Sequence, residues 1–133
     1  MPDINFWAVL VAAISSFMLG GLWYSPVAFL KVWSRESGFG DEPPKGGHPA
    51  KVFGIAFLFS LLSALVFAIW LGPSPDLRVA IHQGFLIGIA FVAASYGINY
   101  QFANRSFKLW LIDGGYHVFQ FALYGVVLGM WPS

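Results

Sequence analysis

The stretch AKVFGIAFLFSLLSALVFAIWL, Ala50 to Leu71, holds a single charge, Lys51 at its start, and stops at Gly72-Pro73. A helix of about 20 apolar residues at 1.5 Å per residue spans a hydrocarbon core of roughly 30 Å. Three more stretches read the same way. The first runs from about Ile4 to Tyr24 and is closed by Ser25-Pro26, because proline disfavours helix at the residue before it. Another runs from about Leu77 to Ile98, and the last from about Phe107 to Met130, before Trp131-Pro132. The expected fold is all-α: one membrane domain over residues 1–133, a bundle of four transmembrane helices.

Composition agrees. The chain is 58% hydrophobic and 10% charged over 133 residues, where soluble domains carry about 25% charged residues. Six acids and seven bases cannot build a polar shell around such a chain. Fourteen Phe, six Trp and five Tyr suit lipid-facing and interfacial positions. A net charge of +1 gives no electrostatic support for binding nucleic acid. The absence of Cys removes disulfides, thiolate catalysis and Cys-ligated metal. Met1-Pro2-Asp3 lacks the basic region of a cleavable signal, so the first apolar run is expected to persist as a helix.

The connections differ in kind. Gly72 to Asp76 predicts a tight turn and an antiparallel hairpin of the second and third helices; Asn99 to Ser106 is also short. The long connection, residues 25–49, has two parts. Val27 to Ser37 sets Phe29, Val32 and Trp33 opposite Lys31 and Arg35, the pattern of a short amphipathic helix in the headgroup layer. Gly38 to Pro49, rich in Gly and Pro, predicts a mobile loop. Lys31, Arg35, Lys45, Lys51, Arg105 and Lys108 flank the first and third loops, whereas the second has only Arg78. By the positive-inside rule the long loop is cytoplasmic and both termini lie outside.

Helices in lipid associate through small residues that let backbones approach. Candidate seams are Ala12, Ser16 and Gly20 on the first helix and Ser60, Ala64 and Ala68 on the second. The third offers Gly84 and Gly88, then Ala90 and Ala94, and the fourth Gly125 and Gly129.

Chemistry points to the fourth helix. Asp113, His117, Gln120 and Tyr124 are spaced 4, 3 and 4 apart and share one stripe, with Tyr116 beside it. Asp113 lies about 8 Å past Lys108 along the axis, where a carboxylate needs a partner or a proton. An Asp113–His117 pair can relay protons, serve as acid and base, or supply two metal ligands. The structural alternative is that Asp113 accepts a hydrogen bond from Tyr24, Trp23 or Asn104, or pairs with Arg105 or Lys108, while His117 is a neutral core residue. Tyr96, Asn99 and Asn104 stand at the same end of the third helix and its turn; His82 lies nearer the other end, and His48 sits in the long loop. No phosphate-cradling loop, nucleophile elbow, zincin His pair or haem-attachment motif occurs, so no cofactor or metal is called for.

The landmarks Ile4-Asn5-Phe6-Trp7, Gly21-Leu22-Trp23-Tyr24-Ser25-Pro26, Asn104-Arg105-Ser106-Phe107, Ile112-Asp113-Gly114-Gly115-Tyr116-His117 and Gly129-Met130-Trp131 resemble the bacterial family known as domain of unknown function 1761. The resemblance covers essentially the whole chain. It implies four membrane helices and a bacterial cytoplasmic membrane, and it implies no activity.

The leading functional reading is binding or transport of a small molecule at Asp113, His117, Tyr116, Gln120, Tyr24 and Asn99. A structural or accessory subunit that forms homo- or hetero-oligomers is the alternative; an intramembrane enzyme using the Asp113–His117 pair is the third. The partners to look for are the lipid bilayer, further copies of the chain and a small-molecule ligand.

Overall fold

The computed structural model describes residues 4–40 and 48–131, and its described residues are helical with no strand. Helix α1 covers Phe6–Trp23, the short α2 Leu30–Glu36 and α3 Pro49–Leu71. The third long helix, Leu77–Phe102, is composite: α4 (Leu77–Ile87), one π-helical segment (Gly88–Ala93) and α5 (Ala94–Phe102). Helix α6 covers Phe107–Met130. Four of these helices are long and apolar enough to cross a membrane.

The helix starts follow local capping chemistry. Asn5, Asp76 and Ser106 each turn a side-chain oxygen onto backbone N–H groups of the first turn of α1, α4 and α6. His48 caps α3 through its ring, with Pro49 directly after it, so this histidine has a local structural task. Between α3 and α4, Gly72 takes a positive φ (+80°) with an extended ψ, a conformation open to glycine, and ends the helix before Pro73.

Two boundaries depart from the sequence-based expectation. The third long helix continues to Phe102, because the chain meets no breaker before Asn104, whose positive φ (+55°) makes the turn. Helix α2 begins at Leu30, since Val27 to Phe29 are taken up by turns closing on Trp23 and Ser25. The loop expectation for residues 38–49 falls largely on residues 41–47, outside the described residues.

Helix α6 is the hub: it touches every other helix, and 44% of an 18-residue stretch of it is buried, against 22–28% in the other three long helices. Helix α1 lies between α6 and α3, where Ala8, Ala12, Ala13, Ala64 and Phe67 are buried against each other. On the other side α4 and the π segment run along α6. Beyond their tight turn α3 and α4 diverge, so the expected hairpin is packed through α1 and α6 and leaves an apolar groove that includes Val66, Trp70 and Ile87.

The approach of α4 to α6 is backbone on backbone. A Cβ added at Gly84 would stand 2.2 Å from the Phe121 carbonyl oxygen, and one at Gly125 2.3 Å from that of Ala80. At Gly88 and Gly129 it would lie 2.7 Å and 2.8 Å from the Cα atoms of Val118 and Leu77. The space above Gly20, on α1, is filled by the Tyr116 ring. Ala90 and Ala94 face outward: two residues past Gly88 is about 200° around a helix, on the opposite face.

Candidate functional site

The polar residues of α6 divide between two connected settings. Asp113 is half-buried one turn and a half into the helix, at the end where Arg105 and Lys108 lie. The Tyr24 hydroxyl, just past the end of α1, donates to its Oδ1 at 2.6 Å. The Tyr100 hydroxyl on α5 donates to Oδ2. Among the described residues, then, the carboxylate is held between two phenols and makes no ion pair. Trp23 donates instead to the Ile112 carbonyl at 2.9 Å, which ties the end of α1 to the same turn of α6.

His117 is not bonded to Asp113. Its Nδ1 meets the Gln120 amide oxygen, which can only accept, so Nδ1 carries the proton. Its Nε2 then accepts from the Tyr96 hydroxyl at 3.2 Å, and the two rings stack with centroids 5.0 Å apart. The Gln120 amide nitrogen donates to the Tyr124 hydroxyl at 2.7 Å. Tyr124, fully buried, donates to the Ser60 carbonyl at 3.1 Å and lies 2.7 Å from Ser60 Oγ. Ser60 Oγ is in turn 3.0 Å from Ser16 Oγ, which donates to the Ala13 carbonyl. One hydrogen-bonded column thus runs from Tyr96 on α5, through three side chains of α6, to α3 and α1. Every buried side-chain nitrogen and oxygen among the described residues has a partner.

Tyr116 joins the two settings. Its hydroxyl donates to the Ser16 carbonyl at 2.9 Å, and its ring meets those of Tyr24 and His117 at 5.7 Å and 5.0 Å. With the Tyr96–Tyr100 contact at 5.7 Å, four tyrosines surround the Asp113–His117 face of α6. Their hydroxyls and the carboxylate make a site rich in oxygen acceptors.

Of the sequence-derived candidates, Asp113, His117, Tyr116, Gln120 and Tyr24 come together, whereas Asn99 is exposed and outside the cluster. Tyr100 takes the place imagined for Asn99. These two neighbours are about 100° apart on the helix, so only one can face α6. Tyr96 and Tyr100 are selected by the π segment. In an unbroken α-helix Tyr96, eight residues past Gly88, would sit about 80° off the glycine face. A π turn absorbs roughly one extra residue, which brings Tyr96 and Tyr100 to within about 20° of that face. The i, i+4 spacing of the two tyrosines was the signal for a shared face; the phase of that face was not readable. Trp110 pins the last residue of the π segment by donating to the Ala93 carbonyl at 2.8 Å. His82 is exposed on α4, and among the described residues no three His, Asp or Glu side chains converge.

A hub helix carrying a self-bonded polar stripe, within four helices of membrane-crossing length, defines an all-α protein with a membrane-protein architecture. Over residues 7–129 the sequence matches the family described as Protein of unknown function (DUF1761), and the chain belongs to that family. No curated protein and no solved structure matches it.

Proposed function

We propose that the chain is an integral protein of a bacterial cytoplasmic membrane, built as a four-helix bundle, that binds or transports a small molecule at the Asp113–tyrosine cluster. Lipid contact accounts for the large apolar side chains left exposed, among them Trp7, Met18, Leu58, Phe59, Trp70 and Phe91. Lys31, Arg35, Lys51, Arg105 and Lys108 flank the α1–α3 and α5–α6 connections, and Arg105 donates to the Ser37 carbonyl at 3.3 Å across them. The positive-inside rule puts this end in the cytoplasm and both termini outside.

The observation that carries the functional reading is the setting of Asp113: a half-buried carboxylate, both oxygens taken by phenols, with no ion pair among the described residues. A charge inside a bilayer is costly unless neutralised, and a ligand bearing a proton donor or a positive charge supplies that neutralisation. The tyrosine faces around it favour the same kind of ligand through cation–π attraction. Native mass spectrometry of the protein released gently from its own membranes, beside Asp113→Asn, tests this. A defined adduct lost in the variant supports the site; a clean spectrum for both removes it.

The second reading, a structural or accessory subunit that forms oligomers, is favoured by the fully partnered polar column. It predicts that Asp113→Asn leaves assembly unchanged, while Gly84→Leu breaks the packing of α4 on α6 within one chain.

A further inference from the structure

A second polar feature lies on the outer side of the same end of the fold, away from the column. The turn between α5 and α6 walls a cavity of about 220 Å³ that opens to the surroundings. One part of its wall is polar: Gln101, Arg105 and Ser106. The other part is aromatic: Tyr100, Phe107 and Trp110. Trp110 spends its indole N–H on Ala93, so it does not donate into the cavity, whereas Ser106 accepts from the Leu109 N–H at 3.1 Å and keeps its own O–H. The donors left are the Gln101 amide, the Ser106 hydroxyl and the Arg105 guanidinium. Arg105 gives one N–H to the Ser37 carbonyl at 3.3 Å, and a guanidinium has five. Lys108, three residues on, adds a second positive charge and is exposed.

We infer that this cavity takes a phosphate-bearing anion, as a phospholipid headgroup or as free phosphate. The guanidinium fork matches two phosphate oxygens, which a lysine point charge does not. The ordering of the wall matches an amphiphile, with cation and amide at headgroup height and aromatic rings beside them. Phe107 and Phe102, 68% and 90% exposed, add apolar surface at the same turn. Tyr100 lines the cavity and also donates to Asp113, so the two places share one side chain. The inference needs the basic end of the chain to lie at a membrane surface, and it is independent of any ligand at Asp113.

The test uses the full chain purified in a neutral detergent. Its thermal unfolding midpoint is followed while phosphatidylglycerol, phosphatidylcholine or inorganic phosphate is titrated in. Phosphatidylglycerol is expected to raise the midpoint at lower concentration than phosphatidylcholine, and Arg105→Gln to weaken that response about tenfold or more, the loss of a charge-assisted hydrogen-bond pair. Arg105→Lys keeps the charge without the fork and falls between the two, while Arg78→Gln at the opposite end responds as wild type. Midpoints without added lipid show that each variant folds. A matching shift with inorganic phosphate, lost in Arg105→Gln, identifies free phosphate as the ligand. No shift with either phosphate source, or an unaltered response in Arg105→Gln, overturns the assignment.

Discussion

Replacing Gly84 by alanine is the sharpest perturbation of the fold, because its geometry leaves nothing to yield. The new Cβ would stand 2.2 Å from the Phe121 carbonyl oxygen and 2.8 Å from its carbon, both backbone atoms of α6. Close carbon–oxygen contacts settle at about 3.3 Å, so the two helices must separate by roughly 1 Å over the seam. That separation also loosens the Gly88, Gly125 and Gly129 contacts, since all four lie along one interface. Overpacking of this kind costs about 1–3 kcal/mol, and the better helix propensity of alanine returns at most about 1 kcal/mol. The net expectation is a loss of up to about 2 kcal/mol, and a difference of about 1–3 kcal/mol from a glycine-to-alanine change that meets no clash. Gly21→Ala is the matched control: nothing lies within 4 Å of a Cβ there, so it gains propensity without a clash. Both variants can be measured by reversible unfolding in mixed micelles with increasing denaturing detergent. If Gly84→Ala unfolds at the same detergent fraction as Gly21→Ala, the α4–α6 approach described here is wrong.

Three further outcomes follow from the polar contacts and the ends of the helices. Tyr24→Phe and Tyr100→Phe each remove one phenol from Asp113 and are expected to destabilise by about 1 kcal/mol or more; a double-mutant cycle with Asp113→Asn should show coupling for both, and additivity would show that the phenols do not act through Asp113. Tyr124→Phe leaves Gln120 and Ser60 without their shared partner in the most buried part of the column, at a cost of about 1–3 kcal/mol, whereas Tyr96→Phe at the half-buried end should cost less; equal costs would argue against the column. Since the chain has no cysteine, single cysteines report sidedness directly: one at Ser74 should react with an impermeant maleimide in intact spheroplasts, and one at Ser37 only after lysis, with the reverse pattern refuting the proposed orientation.

The four long helices are legible because length and apolarity are local properties, and Pro26, Gly72-Pro73 and Trp131-Pro132 punctuate them. The stripe on α6 is legible for the same reason, as helical periodicity alone puts Asp113, His117, Gln120 and Tyr124 on one face. Which side chains meet that stripe is a tertiary matter. Ser16 and Ser60 read as small residues that let backbones close up, yet their hydroxyls also extend the polar column across α1 and α3. Exchanging Asn99 for Tyr100 required knowing the phase of the third helix, and that phase depends on a π segment which no residue in Gly88–Ala93 announces. The divergence of α3 from α4 is likewise invisible in a turn of five residues, because the turn fixes only where the helices begin to part.

The two polar settings also bear differently on the choice between ligand site and structural subunit. Hydroxyls and an amide suffice to hold helices together: Ser16, Ser60, Gln120 and Tyr124 do so with neutral groups whose hydrogen bonds close on one another. Cohesion alone gives no reason to place a carboxylate one step away, where an asparagine would also accept from a phenol without carrying a charge into the bilayer. Asp113 accepts two hydrogen bonds, one through each carboxylate oxygen. A carboxylate offers a cation or a proton donor acceptor oxygens that an amide offers less well. On the proposed reading the tyrosine arrangement serves recognition, and Asp113→Asn separates that from packing: a structural carboxylate replaced by its neutral isostere leaves no ligand to lose, while a binding carboxylate loses its ligand whatever happens to the fold.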